Sequence, residues 1–294
     1  MFYRRKIIFA LLEAFDGSVR ADSIQSLLFL LTGQQKTPSF DFVPTAQGPY
    51  SFQLTADLGI MSNYGQVQKD VQAWIKTDPQ NYTALLKEPD RKILAGLKPE
   101  YGHLTSAELL AIIFLTHPYY GLKSALAEEL LSPAEMDAVK KTVQPNDATI
   151  LYTIGYEGIS LETYLNKLIV NDVKLLCDVR KNPLSMKFGF SKHQLEAACG
   201  RVNIDYVHIP DLGIDSEKRQ NLVTQDDRDK LFRDYAKNTL NSNADAIYTV
   251  LNLLVKHRRI ALTCFEADQC DCHRGTLAKA MMQLPEWEYA LHHL

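Results

Sequence analysis

A chain of 294 residues has room for one large domain or two ordinary ones, and its 46% hydrophobic and 23% charged residues describe a globular protein rather than a disordered or fibrous one. A net charge of −3 excludes an overall nucleic-acid signature, so any such contact has to come from a local patch. Five cysteines without regular spacing argue against a disulfide framework and for a reducing, cytoplasmic setting.

The N-terminus, Met1-Phe2-Tyr3-Arg4-Arg5-Lys6, places basic residues before an apolar run, as a signal peptide does. Glu13 and Asp16 interrupt that run, and no small-residue cleavage site follows. No stretch reaches the length of a membrane span, so no membrane partner is expected. Ile8, Leu11, Leu12 and Phe15 share one helical face, and Asp16-Gly17-Ser18 ends that helix. A second helix is predicted after an N-cap at Asp22, through Ile24, Leu27, Leu28 and Leu31. After the Phe40–Phe52 stretch, Leu54, Leu58 and Met61 line a third helix, and Gly65-Gln66-Val67 starts a hairpin. The order fits an all-α or winged-helix-like domain. Its recognition helix, residues 51–62, contains no Lys or Arg, which a DNA-reading helix usually has.

The residues Phe40, Phe42, Pro44, Gly48, Pro49, Tyr50 and Ser51 resemble the core motif of Panacea-type antitoxin-associated modules. That resemblance implies a DNA or protein partner for the first third of the chain. Further helices are expected over Tyr82–Lys98, interrupted at Pro89, and over Thr105–Lys141, where Thr105 with Glu108 makes a capping box. Thr116-His117-Pro118-Tyr119-Tyr120 breaks the second of these and reads as a structural turn.

Val143-Gln144-Pro145-Asn146-Asp147 reads as a linker, giving domains 1–146 and 147–294. Beyond it, apolar β-branched runs alternate with helical periods. Strands are predicted at Thr149–Ile154, Lys174–Val179, Asp205–Ile209 and Ile260–Phe265, with Tyr289–Leu294 as a fifth. Helices fall over Ser160–Val170, from a Ser191/Gln194 capping box to about Val202, and over Asp226–Asn238, Ala244–His257 and Thr276–Leu284. This is the pattern of an α/β, Rossmann-like open parallel sheet.

In a parallel sheet the carboxyl ends of all strands face one rim, where ligands bind. The expected rim residues are Gly155, Tyr156, Asp178, Arg180, His208, Glu266, Cys272, His273 and Arg274, with Ser185 on the loop after the second strand. Glycine beside Tyr156 allows close backbone approach, and Arg180 and Arg274 suit an anionic small molecule or nucleic acid. Cys272, at a helix start beside Arg274 and His273, is a candidate nucleophile with a favoured thiolate. Tyr156, Asp178, Glu266 and His273 are candidates for proton transfer. The plainer alternatives are an Asp178–Arg180 ion pair that fixes a loop and a Cys272 that merely starts a helix.

The blocks TIGYEG (153–158), CDVRKNPLS (177–185), YVHIPDLG (206–213) and CFEADQCDCHRG (264–275) resemble the domain-of-unknown-function family 488. The resemblance puts that family's pattern on Gly155, Tyr156, Asp178, Arg180, Pro183, Ser185, His208, Leu212, Gly213, Cys264, Glu266, Cys272, His273 and Arg274. Cys270 is a departure from the pattern. The resemblance implies a fold and a site but no established reaction.

Cys264, Cys270, Cys272, His208 and His273 could lie close together, but Cys-x-Cys-His leaves little room to wrap one structural zinc with all its ligands, and a rhodanese-type Cys-x5-Arg loop is absent because the sixth residue after Cys272 is Ala278. No metal and no cofactor is therefore expected. An enzyme acting on a phosphorylated substrate, nucleotide or nucleic acid is the favoured reading, and a non-catalytic ligand sensor is the alternative.

Overall fold

The computed structural model describes residues 1–143, 147–219 and 224–294; most of the expected linker, residues 144–146, lies outside the described residues. The chain divides into two compact units, Met1–Gln144 and Pro145–Leu294.

The N-terminal unit starts with a helix, Tyr3–Ala14, whose residues Ile7–Leu12 are all buried. A strand, Ser18–Arg20, and two helices, Ile24–Gly33 and Phe52–Asn63, follow, with a small hairpin (Val43–Thr45 and Gly48–Tyr50) between the helices. A second antiparallel hairpin, Val67–Lys69 and Ala73–Lys76, then pairs back onto Ser18–Arg20. The unit is thus mainly helical but carries two small antiparallel sheets.

Buried Asp57 on the Phe52–Asn63 helix ties it to the first helix, accepting from Arg4 Nε at 2.5 Å and Arg5 Nε at 2.7 Å. The first basic residues therefore serve the packing of this unit. The N-cap of the second helix is Ser23, and Asp22 instead accepts from Ser23 Oγ and Arg20 Nε. Pro89 sits in the first turn of the helix Glu88–Tyr101, where its missing N–H costs nothing, so it opens that helix rather than interrupting it. The Thr105/Glu108 capping box forms. His117 and Tyr120 pack edge-on against Phe29, so that turn leans on the core from the surface.

In the C-terminal unit we number the elements β1 (Ile150–Gly155), α1 (Leu161–Val170), β2 (Leu175–Asp178), α2 (Lys192–Arg201), β3 (Asp205–His208), α3 (Gln225–Asp234), α4 (Ala244–His257), β4 (Arg259–Cys264), α5 (His273–Met281) and β5 (Ala290–His293). The five strands form one parallel sheet in the order β5-β1-β4-β2-β3. β1, β2 and β4 are buried at every position, as expected of parallel strands covered on both faces. On one face Leu151, Leu175, Cys177, Ile260 and Leu262 pack with Ile247, Leu251, Leu254, Leu277 and Met281 from α4 and α5. On the other, Tyr164 of α1 donates from Oη to Thr263 Oγ1 of β4 at 2.8 Å.

The Ser191/Gln194 capping box does not form, because both side chains are used by the preceding loop. Ser191 Oγ accepts from the Ser185 N–H and donates to the Ser185 carbonyl, while Gln194 Oε1 accepts from the Gly189 N–H. After α3 the helix widens into a π-helical turn, Tyr235–Leu240, before α4.

From β1 the chain crosses over β4 to reach β2, whereas from β4 it crosses over β1 to reach β5. The sheet order therefore reverses between the carboxyl ends of β1 and β4. Such a switch point leaves a crevice, because neighbouring connections leave in opposite directions.

Candidate functional site

Pairing register brings the predicted residues to one rim: Gly155 lies opposite Cys264, and Asp178 opposite both Thr263 and His208. Within that rim the structure separates two groups of different character.

The first group is a buried polar cluster centred on Asp178. Arg180 donates to it twice, Nε to Oδ1 at 2.8 Å and Nη2 to Oδ2 at 2.5 Å, and Tyr206 Oη donates to Oδ2 at 2.7 Å. Arg180 Nη1 donates to Tyr156 Oη and to the Phe190 carbonyl, both at 2.8 Å. His208 Nε2 lies 2.8 Å from the Arg180 carbonyl oxygen, which can only accept, so the ring proton is on Nε2. Burial alone would lower the pKa of Arg180, but the bonds and charge of Asp178 raise it above the usual guanidinium value. Tyr156 stacks on Phe190 with ring centroids 4.2 Å apart and is 3% exposed.

These contacts answer the expectation for four of the predicted residues. Tyr156, Asp178, Arg180 and His208 occupy one another, and the guanidinium expected to hold a ligand anion holds a protein carboxylate instead. Ser185 likewise organises its loop, its Oγ accepting from the Lys187 N–H at 3.1 Å.

Gly155 at the end of β1 and Arg274 in α5 both pack against the loop between β4 and α5. A Cβ on Gly155 would fall 1.8 Å from the Glu266 carbonyl oxygen, so glycine is required there by the chain's own approach rather than by a ligand. Arg274, 1% exposed, donates from Nη1 and Nη2 to the carbonyls of Glu266 and Ala267 at 2.6 and 2.8 Å. Its charge stabilises that loop from beneath.

The second group lies at the switch point. Cys264 ends β4, Cys272 is the N-cap residue of α5, and His273 is the first residue of that helix. His273 Nδ1 is 3.5 Å from Cys264 Sγ and 3.9 Å from Cys272 Sγ, while Glu266 Oε2 is 3.3 Å from Cys264 Sγ. His273 Nε2 lies 2.9 Å from the Val179 carbonyl at the end of β2.

The thiolate expected at Cys272 is not favoured. Burial pushes its thiol up, Cys264 and Glu266 push the same way, and the opposing charge of Arg274 is outweighed. A helix start and a cation lower a thiol pKa only when they outweigh the cost of desolvating the thiolate. Here Cys272 is 1% exposed, and Arg274 is turned to the loop carbonyls.

Above this group a cleft of about 410 Å³ is lined by Glu157, Arg228, Phe232, Glu266, Asp268 and His273, among others. Arg228 forms an ion pair with Asp271 at 3.5 Å. The cleft is thus more acidic than basic, contrary to the anion site expected at the rim. Arg228 and Phe232 were missed from sequence. Their signal was their spacing: with Leu231 they recur at i, i+3 and i+4 along α3, which places them on one face.

A wider groove of about 590 Å³ in the N-terminal unit runs past Glu13, Lys76, Arg91 and Lys98. Lys76 there pairs with Glu13 and Lys98 with Asp16, so these charges serve the fold. The concentration of thiol, imidazole and carboxylate is at the C-terminal cleft.

A family model described as domain of unknown function DUF488 matches residues 160–281, from the N-cap of α1 to the end of α5. Three of the four sequence blocks fall inside the match, and TIGYEG lies just before it. The match does not extend to the N-terminal third. No curated protein and no solved structure matches the chain. No helix among the described residues is long and apolar enough to cross a membrane.

Proposed function

We propose that the C-terminal unit is an enzyme whose reaction centre is the floor of the switch-point cleft, and whose substrate is a nucleotide or an unstacked base of a nucleic acid. The observation that carries this reading is the meeting of Cys264, Glu266, Cys272 and His273 beneath an open cleft at the reversal of the sheet. Glu266, which lines the cleft 3.3 Å from Cys264 Sγ, is the residue we assign to moving a proton between cleft and floor. The cleft carboxylates Glu157 and Asp268 suit the N–H groups of a heterocyclic base, and Phe232 offers it a ring. Arg228, on the cleft wall, is the cation for a phosphate, because its 3.5 Å pair with Asp271 is solvent-exposed and open to exchange, unlike the buried pairings of Arg180 and Arg274. Free thiols at all five cysteines are in keeping with a reducing, cytoplasmic setting.

The test is to incubate the full chain with nucleosides, nucleotides and short single-stranded DNA and RNA, following products by mass spectrometry. Glu266→Gln is expected to keep substrate binding and lose turnover by roughly 10²- to 10⁴-fold, and Arg228→Ala to raise KM for phosphorylated substrates only. Binding of a compound by the wild type without any turnover would overturn the enzymatic reading and leave a sensor.

That second reading has one observation in its favour. Helix, strand, two helices and a hairpin returning to the first strand is the order of a winged-helix module, which supports an interaction role for the N-terminal unit. The helix Phe52–Asn63 contains no Lys or Arg, which favours a protein partner over DNA. The motif from Phe40 to Ser51, with its Panacea-type resemblance, points the same way.

A further inference from the structure

We propose that Cys264, Cys272 and His273 form a zinc site with three protein ligands and an open fourth position toward the cleft. Their ligand atoms all lie within 4.8 Å of one another and all three residues are buried. With Zn–S near 2.3 Å and Zn–N near 2.0–2.1 Å, a tetrahedral ion has S···S and S···N edges of about 3.6 to 3.8 Å. The distances of 3.5 and 3.9 Å from His273 Nδ1 to the two sulfurs bracket that range, so those two edges fit with shifts of a few tenths of an ångström, and the sulfur–sulfur edge lies within the 4.8 Å spread of the three atoms.

The imidazole is already oriented as a ligand. The Val179 carbonyl can only accept, so His273 Nε2 carries the proton, and in the neutral ring Nδ1 then directs its lone pair toward the sulfurs. A metal-bound histidine almost always has such an outer partner, which fixes tautomer and ring angle. Of the five residues that could gather from sequence, Cys264, Cys270, Cys272, His208 and His273, the crowding of Cys-x-Cys-His spoke against a shared ion. The structure removes that objection, because the exposed Cys270 is not needed and Cys264 is supplied by β4, eight residues before Cys272.

Two cysteines, one histidine and a vacant position make a catalytic rather than a structural ligand set. Zinc binding releases the two thiol protons to solvent, leaving a site of net charge zero. Glu266 stands beside the trio, and both it and His273 line the cleft. A water in the fourth position would give its proton to the Glu266 carboxylate and remain on zinc as hydroxide, a nucleophile for the reading above. The ion's role in turnover rests on that reading, whereas its binding does not.

The experiment uses the full chain, stripped with a chelator and titrated with Zn²⁺ alone and with Co²⁺ alone. One equivalent of zinc per chain should survive desalting, and cobalt should give thiolate-to-metal charge transfer with the intense visible bands of a tetrahedral site. Cys272→Ser should weaken zinc by more than the roughly 10- to 100-fold that loss of an outer partner costs, and Cys270→Ser should change nothing. No retained zinc and no thiolate charge transfer in the wild type would overturn the proposal, as would loss of the bands in Cys270→Ser. The wild-type cobalt spectrum decides the matter even if Cys272→Ser does not fold. Turnover by metal-free protein sinks the zinc role and spares the enzyme, while bound zinc without turnover of any substrate sinks the enzyme and spares the zinc.

Discussion

Arg180 closes a two-pronged ion pair on Asp178, two residues before it, and neither side chain is more than 6% exposed. The pair joins the end of β2 to β3 through Tyr206 and to the end of β1 through Tyr156. Its geometry explains why a motif that looks like an anion clamp in sequence is part of the scaffold.

Breaking that pair from one side should be costly. Asp178→Asn or Arg180→Met leaves a buried charge without its partner, an expected loss of about 3–5 kcal/mol. The double variant Asp178→Asn/Arg180→Met removes both charges and should lose less than the two single losses added together. Denaturant unfolding of the four proteins measures this, and additive losses would show that the pair is not coupled.

The cysteines should differ sharply in reactivity. Cys270 is exposed, whereas Cys177, Cys199, Cys264 and Cys272 are buried, and burial raises the thiols of Cys177, Cys199 and Cys272. In the metal-free native protein iodoacetamide should label Cys270 at least about 100-fold faster than the other four, which wait for local opening. Mass spectrometry of timed digests reads the order. Fast labelling of Cys272 would restore it as an accessible nucleophile and contradict its packing.

Glu13 links the stability of the N-terminal unit to pH. Burial alone would raise its pKa, but Thr83 Oγ1 at 2.6 Å, the N–H groups of Tyr82 and Thr83, each at 2.8 Å, and Lys76 hold it below its ordinary 4.5. A lowered folded value means stability that is fully present above the unfolded value and is lost as pH falls through the folded one. Glu13→Gln should therefore cost about 1–2 kcal/mol at neutral pH, allowing for partial exposure, and the difference should shrink below about pH 4.5. Each unit has one tryptophan, Trp74 and Trp287, so Trp287→Phe confines the fluorescence signal of urea unfolding to the N-terminal unit. A wild-type to Glu13→Gln difference that is the same at low and neutral pH would show that the carboxylate carries no such linkage.

Local pattern determined a large part of this protein. Alternating apolar runs and helical periods located all five parallel strands to within a residue or two, because strand and helix are set by spacings of a few residues. The gathering of Gly155, Asp178, His208 and Cys264 on one rim followed from the sheet being parallel. What sequence could not decide is which of those side chains face each other and which face water, because pairing across 24 to 28 residues depends on the packed positions of three strands. Hence Tyr156 and Tyr206 close on Arg180 and Asp178, whereas Arg274 and Ser191 are taken up within eight residues by carbonyls of turns that no helical or strand period describes. Cys272 shows the same limit. Its helix start and cationic neighbour are local facts that favour a thiolate, but the burial that reverses them is a property of the assembled sheet, which also brings Cys264 to its side.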